Sequence, residues 1–160
     1  RQMCIRDRSV IELVKKSGYP GMKILQFAFD SREESDYLPH NYTHNCVVYT
    51  GTHDNDTVMG WYDTLKGADK KLCDDYLRLK NADGEPIPRE QLPWEFVRAA
   101  MSSVADLAII PMQDYLGLGS EARINIPSTL GINWKWRMGN GDFTKELAGR
   151  IRSMTKLYGR

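Results

Sequence analysis

The chain has 160 residues and a mass of 18.4 kDa, and 41% of its residues are hydrophobic, which is enough apolar surface for one folded core. Its 22 Lys and Arg residues balance 21 Asp and Glu residues to a net charge of +1, so no global field attracts nucleic acid or an anionic membrane. The uncharged apolar stretches are far shorter than the roughly 20 residues of a membrane-spanning helix, so we expect neither a nucleic acid nor a membrane as partner.

The N-terminal third predicts one helix followed by two short strands. Ser9 and Glu12 have the spacing of a capping box ahead of an apolar face, which predicts a helix over 9–17. Two short apolar runs are bounded by turn or polar residues and predict strands buried on both faces, over 23–29 and 46–49. The polar segment between them, 30–45, predicts a loop that crosses the surface or a site.

The rest of the chain predicts further helices around a third strand. Apolar residues recur at helical spacing in four segments, 58–65, 72–79, 94–104 and 147–158. The apolar run 107–111 predicts a third buried strand, and the glycine-rich segment 117–141 predicts an ordered functional loop.

Buried strands that alternate with amphipathic helices predict an α/β fold with a parallel sheet. Polar residues follow the second and third strands, and such residues form the sites of both doubly wound sheets and barrels. A complete eight-stranded barrel needs at least about 200 residues, so a barrel could be only partly present in this chain.

The cysteines indicate a reducing compartment. Cys4, Cys46 and Cys73 are an odd number without close pairing, which favours free thiols over a disulfide framework. The first eight residues carry four charges and no apolar run, so they do not predict a secretory signal. We therefore expect a cytoplasmic protein.

The sharpest local feature is the polar cluster His53-Asp54-Asn55-Asp56 directly after the second strand. An imidazole and two carboxylates at that point can bind a metal, act as acid and base, or hydrogen-bond a polyhydroxylated ligand. The spacing equally allows Asp56 to cap the next helix and His53 to be a satisfied core histidine. The cluster alone does not decide between these interpretations.

Three other groups of residues are weaker candidates. His40 and His44 have a metal-like spacing, but Pro39 and the residues between them favour a solvated loop. Trp134 and Trp136 in the glycine-rich segment can stack on a sugar ring or a base. Two arginines of the same segment can clamp an anion or lie in solvent, Arg123 and Arg137.

Four sequence blocks together resemble the 4-alpha-glucanotransferases, also called amylomaltases or disproportionating enzymes. They are Gly18–Phe29, Val48–Thr57, Ile109–Gly119 and Asn133–Arg137, in the order found in the family. The resemblance covers residues 10–160 and implies transfer of α-1,4-glucan segments between malto-oligosaccharides from starch or glycogen, without a cofactor or metal. It also implies that this chain is the C-terminal part, about the last three strands, of a (β/α)8 barrel with helical insertions.

The resemblance assigns roles to residues. Asp54 matches the carboxylate that stabilises the transition state, and His53 matches its sugar-binding neighbour. The resemblance also nominates five residues for substrate contact, Gln26, Phe27, Asp30, Asn125 and Asn133. In a retaining double displacement these residues work beside a nucleophile and an acid/base.

The same resemblance implies that two catalytic residues are missing. The family's nucleophilic Asp lies on an earlier strand, and its acid/base Glu would fall near Arg1. Residues 1–9 do not resemble the family, so we expect a mismatched or foreign segment there. The chain alone is therefore expected to be inactive.

Two alternatives remain. A metal-dependent hydrolase would use hard ligands drawn from His53, Asp54, Asp56 and Asp114, and it would lose activity on chelation. A non-catalytic glucan-binding remnant would keep the aromatic and polar surface without the nucleophile and acid. Cofactor-independent glucan transfer would exclude the hydrolase.

Overall fold

The computed structural model describes residues 8–160. Three parallel strands, β1 (Gly21–Ile24), β2 (Cys46–Tyr49) and β3 (Leu107–Ile109), form one sheet in the order β1-β2-β3. In this register Ile24, Tyr49 and Ile109 lie side by side across the sheet. The predicted α/β class and the parallel sheet are confirmed.

Among residues 8–160, six α-helices accompany the sheet: α1 (Arg8–Ser17), α2 (Val58–Thr64), α3 (Gly67–Leu77), α4 (Leu92–Met101), α5 (Met112–Leu116) and α6 (Lys145–Leu157). Short 3-10 turns occupy Leu25–Phe27, Pro39–Asn41, Arg89–Gln91 and Ser120–Ala122. The first predicted strand ends at Ile24 rather than residue 29, because the chain turns there into the first 3-10 segment.

The helices cover one face of the sheet. Cys46 and Val48 of β2 are buried on that face against Ala100 of α4. A larger apolar core continues behind it around Phe96 of α4, where Val58 of α2 and Leu77 of α3 are also buried. This packing fixes the position of the segment between β2 and α2.

The opposite face of the sheet is apolar but has no covering helix among the described residues. It carries Tyr49 together with three exposed side chains, Met22 (53% exposed), Leu107 (52%) and Ile109 (42%). The prediction that these strands are buried on both faces is therefore wrong for residues 8–160. Parallel sheets are normally covered on both sides, so this face is suited to further packing.

The C-terminal helix is fastened to α4. The guanidinium of Arg150 in α6 lies 3.8 Å from the ring centre of Trp94. Arg160 donates to the carbonyls of Met101 and Ser103 at 2.7 and 2.8 Å, which satisfies backbone acceptors near the end of α4. No helix among residues 8–160 has both the length and the apolar character needed to cross a membrane.

The mismatched segment predicted for residues 1–9 lies outside the described residues except for its last two, which begin α1. The boundary at residue 10 stays a prediction.

Candidate active site

The candidate site lies in the loop that joins the carboxyl end of β2 to α2. His53 and Asp54 stand in this loop with about half of each side chain exposed, and His53 Nε2 lies 3.3 Å from Asp54 Oδ1. Neither residue is part of the core, so the interpretation of His53 as a buried core histidine is wrong. Both groups are available to a ligand.

Asn125 connects this loop to the segment after the Ser120–Ala122 turn. Its side-chain Nδ2 donates to Asp54 Oδ1 at 2.6 Å, and its backbone N–H donates to the His53 carbonyl at 3.1 Å. The Asn125 amide thus fixes the orientation of the Asp54 carboxylate through Oδ1, and it does not contact Asp54 Oδ2. Of the nominated substrate contacts, Asn125 lies nearest to the catalytic candidate.

Arg123 binds the same two loops through backbone oxygens. Its Nη2 donates to the Asp54 carbonyl at 2.6 Å, and its Nε donates to the Asn125 carbonyl at 2.9 Å. The sequence left open whether this arginine clamps an anion or lies in solvent. In the structure it is half-buried and bridges two main-chain segments.

Trp134 covers one side of His53. The two ring centres are 5.1 Å apart at an interplanar angle of 37°, and Trp134 remains 57% exposed. The backbone N–H of Trp134 donates to the Ile124 carbonyl at 2.7 Å, which holds the indole beside the Asn125 segment. An exposed indole next to an imidazole is a surface on which a sugar ring can stack.

Asn133 braces its own loop. Its Oδ1 accepts from the Ile126 N–H at 3.0 Å, and its Nδ2 donates to the carbonyl and hydroxyl oxygens of Thr129 at 3.0 and 3.1 Å. Both ends of the amide are therefore engaged within residues 126–133. Its nomination as a substrate contact stays a prediction.

The three nominated residues after β1 occupy different environments. Gln26 is buried and donates from Nε2 to the Asp56 carbonyl at 2.8 Å, so it holds the far end of the β2–α2 loop. Phe27 faces the cavity described below and packs edge-on against Tyr37, with ring centres 5.7 Å apart. Asp30 forms an ion pair with Arg32 at 2.6 Å. Phe27 is the one of the three that lines the cavity.

A cavity of about 830 Å³ lies between the uncovered sheet face and these loops. Its floor is apolar and includes Ile24, Tyr49 and Ile109, while His53 and Asp54 stand at its polar side. An apolar cleft with a few convergent polar groups is typical of a small-molecule or oligosaccharide site.

Asp114 was a candidate metal ligand, but the structure places it away from the cavity. It is 1% exposed, its Oδ1 accepts from the Val58 N–H at 2.8 Å, and its Oδ2 accepts from the Thr50 hydroxyl. Burial raises the pKa of Asp114 to about 6, although both hydrogen bonds favour the ionised form. Thr50 is the first residue of the loop between β2 and α2, and Val58 directly follows it, so Asp114 connects the two ends of this loop.

The remaining metal-ligand candidates do not converge either. The Asp56 carboxylate accepts from the Thr57 N–H at 2.8 Å and from the Ser120 hydroxyl at 2.7 Å. His40 forms a hydrogen bond with the Tyr76 hydroxyl at 3.0 Å in the 3-10 turn. Within residues 8–160, no three His, Cys, Asp or Glu side chains are grouped to hold a metal ion.

Comparison with known proteins shows which family this chain resembles. The family model described as 4-alpha-glucanotransferase matches residues 3–142. The 4-alpha-glucanotransferase of Clostridium butyricum is 49% identical over 151 residues, which cover 94% of this chain and 30% of that protein. The 4-alpha-glucanotransferase of Thermus thermophilus is 48% identical over 143 residues, which cover 87% of this chain and 28% of that protein.

A solved structure is also similar. An amylomaltase from Streptococcus agalactiae, determined in complex with acarbose, superposes with a TM-score of 0.86 at 35% identity, and the match covers 96% of this chain and 30% of that one. The chain thus spans less than a third of the length of these relatives. By its sequence and its structure, this chain belongs to the 4-alpha-glucanotransferase family.

Proposed function

We propose that the chain is the C-terminal part of an enzyme that transfers α-1,4-glucan segments between malto-oligosaccharides by a retaining double displacement. The observation that supports this most strongly is the Asp54 carboxylate, which Asn125 and His53 orient at the edge of the cavity. The acarbose complex of the similar amylomaltase supports an oligosaccharide as the ligand.

The proposed architecture is the last three strands of a (β/α)8 barrel. Three parallel strands in sequential order, each followed by helical structure, are consistent with consecutive units of such a barrel. The uncovered apolar face supports the same arrangement, because in a barrel the inward-facing side chains of neighbouring strands pack in layers. The missing strands would cover Met22, Leu107 and Ile109.

Asp54 is proposed to stabilise the transition state. An oxocarbenium-like transition state is favoured by hydrogen bonds to sugar hydroxyls that strengthen as charge develops. The half-exposed Asp54 carboxylate can accept such bonds, and its contact with Asn125 reduces the reorganisation that they require. The nucleophile and the acid/base are proposed to come from the preceding part of the barrel, and no cofactor or metal enters this scheme.

His53 and the aromatic residues are proposed to hold the sugar. The exposed side of the imidazole can hydrogen-bond a hydroxyl group while Trp134 restricts its tilt. Phe27 and Tyr37 form an aromatic wall of the cavity, against which the apolar face of a glucose ring can pack. Gln26, Asp30, Asn125 and Asn133 remain nominated substrate contacts from the resemblance.

The test is a completed enzyme, in which residues 10–160 of this chain replace the corresponding segment of the Clostridium butyricum relative and the relative supplies the nucleophile and the acid/base. Supplied with maltotriose alone, the completed enzyme should release glucose and form longer maltodextrins, without added metal and in the presence of a chelator. The unmodified relative serves as the positive control. A folded chimera that binds acarbose but transfers nothing would instead support a glucan-binding remnant, and loss of activity on chelation would support the hydrolase.

A further inference from the structure

We propose that Arg123 is a positioning residue, which holds the Asp54 loop in its working orientation from the backbone side. The inference rests on the proposed function, because it assigns to Arg123 a role in the same glucan transfer. Arg123 is not itself in contact with the cavity side of Asp54. Its effect is transmitted through main-chain carbonyls.

The two hydrogen bonds of Arg123 fix one loop relative to the other. Nη2 and Nε belong to one rigid planar guanidinium, and they donate to the carbonyls of Asp54 and Asn125 at 2.6 and 2.9 Å. The two carbonyls are therefore held at a defined separation. That separation permits the 2.6 Å contact between Asn125 Nδ2 and Asp54 Oδ1 on the other side of the loop.

Arg123 is itself anchored on rigid structure. Its backbone N–H donates to the Ser120 carbonyl at 3.1 Å, which closes the Ser120–Ala122 turn. The neighbouring Ala122 carbonyl accepts from the buried side chain of Gln113 at 3.2 Å. Because the Ser120–Ala122 turn fixes its backbone, the Arg123 side chain can position a catalytic group, whereas a solvated arginine cannot.

The guanidinium is used for this clamp and not for an ion pair. Among residues 8–160 no carboxylate lies within ion-pair distance of Arg123, so its charge is directed at the two carbonyl oxygens. Lysine has one compact ammonium group and cannot reproduce a planar fork that bridges two carbonyls. The clamp therefore requires arginine specifically.

Arg160 provides a matched control. It is half-buried like Arg123, and its Nε and Nη2 also donate to two backbone carbonyls, those of Met101 and Ser103, at 2.7 and 2.8 Å. Neither acceptor belongs to the Asp54 loop or to the cavity with His53 and Asp54. Loss of the Arg160 side chain removes a comparable pair of hydrogen bonds without releasing Asp54.

The experiment compares Arg123→Ala, Arg123→Lys and Arg160→Ala in the completed enzyme. Arg123→Ala should lower kcat by about 10- to 100-fold with little change in KM, since a displacement of about 1 Å at a catalytic group costs up to this much. Arg123→Lys should not recover the loss, and Arg160→Ala should keep the parent kcat. Guanidinium ion at low millimolar concentration, far below denaturing levels, should restore part of the activity of Arg123→Ala.

A second measurement is independent of catalysis. Hydrogen exchange of the Asn125 backbone amide, which donates to the His53 carbonyl, should accelerate in Arg123→Ala relative to the Val58 amide and remain unchanged in Arg160→Ala. An unchanged kcat, or unchanged exchange at Asn125, would overturn the assignment of Arg123. If the parent chimera has no transferase activity, the proposed function fails, and the exchange measurement alone decides the positioning role.

Discussion

The catalytic role proposed for Asp54 depends on the orientation of its carboxylate. Asp54 receives a side-chain hydrogen bond from a residue 71 positions away, and its own carbonyl accepts from Arg123. These contacts come from a segment beyond β3, so the orientation of Asp54 depends on how the loops at the carboxyl ends of two strands meet. Individual substitutions can therefore separate catalysis from folding.

Asp54→Asn in the completed enzyme tests the catalytic role directly. Asn keeps the shape and can still accept from Asn125, but it loses the negative charge that is proposed to stabilise the transition state. We expect kcat to fall by roughly 10²- to 10³-fold, which is the scale for one preorganised electrostatic contact, with a smaller change in KM and an unchanged Tm. Steady-state kinetics on maltotriose and thermal unfolding provide the measurements.

The control for this substitution is Asp83→Asn, because Asp83 is an exposed residue of a turn remote from the cavity. It removes the same charge from the molecule. Near-normal turnover in Asp54→Asn would contradict the catalytic assignment, and unfolding would assign a structural role to Asp54.

Asp114 predicts a pH dependence of stability. Its pKa rises from an ordinary value of 3.8 to about 6 in the folded protein, so unfolding between these pH values releases a proton. Its contribution to the free energy of unfolding is therefore largest below about pH 4. This contribution decreases by about 3 kcal/mol as the pH rises to about 6 and is constant above that. Asp114→Asn removes this titration and keeps an acceptor for the Val58 N–H.

The measurement is Tm against pH for the completed enzyme with and without Asp114→Asn. The other carboxylates titrate in both proteins, so only the difference between the two curves reports on Asp114. That difference should increase in favour of the variant from pH 4 to 6 and then level off. Parallel curves would show that Asp114 does not titrate in this range.

At the scale of elements, the sequence predicted what local pattern can encode and missed what depends on packing. The apolar run of β2 and the polar loop after it were predicted at their observed positions. The strand predicted over 23–29 stops at Ile24, because Gln26 turns inward to the Asp56 carbonyl 30 residues away. The five-residue helix α5 is too short to show a helical period.

The candidate site shows the same division between what local sequence predicts and what depends on packing. The pairing of His53 with Asp54 could be predicted because the two residues are consecutive in the sequence, but their partner Asn125 was found only through the resemblance. Arg123 was left between two interpretations, since its acceptors are backbone carbonyls that no sequence pattern displays. The burial of Asp114 likewise depends on the packing of the helices around it.

Two glycines in helices predict opposite effects of the same substitution. Gly60 lies in α2, where an added Cβ would stand 2.2 Å from Ser120 Oγ and 2.8 Å from Asp56 Oδ1. Gly149 lies in α6, where a Cβ would meet no atom within 4 Å. Alanine has the higher helix propensity, by about 1 kcal/mol, so only local space decides the sign.

We expect Gly149→Ala to raise the Tm of the completed enzyme and Gly60→Ala to lower it. Gly60→Ala should also reduce glucan transfer, because it displaces the hydrogen bond between Ser120 and Asp56, which lies in the same loop as Asp54. Thermal unfolding and the maltotriose assay measure the two effects. A stabilised Gly60→Ala variant would show that the contact between α2 and the Ser120–Ala122 turn is loose.

At the scale of the whole molecule, the uncovered sheet face governs the behaviour of the isolated chain. Both outer strands, β1 and β3, have an edge unpaired within the described residues, and the apolar row between them is partly exposed. Open edges and exposed apolar patches promote self-association. Completion of the proposed barrel would remove both the open edges and the exposed patch.

The isolated chain of 160 residues is therefore expected to self-associate and to show no disproportionation of maltotriose. Light scattering after size exclusion should give a mass above 18.4 kDa that increases with concentration. Glucose release by the pure chain would contradict the proposed need for two further carboxylates. Reversible unfolding of a monomer would contradict the role of the open face.

Because Trp134 stacks on His53, the fluorescence of its indole reports on the rim of the cavity. Indole emission shifts to shorter wavelength when a ligand displaces water from its surface. Trp134 is exposed to this effect, whereas Trp94 is buried beneath Arg150 and keeps a constant background. The protein thus contains its own fluorescent reporter, and the arrival of an unlabelled oligosaccharide can be followed without an attached dye.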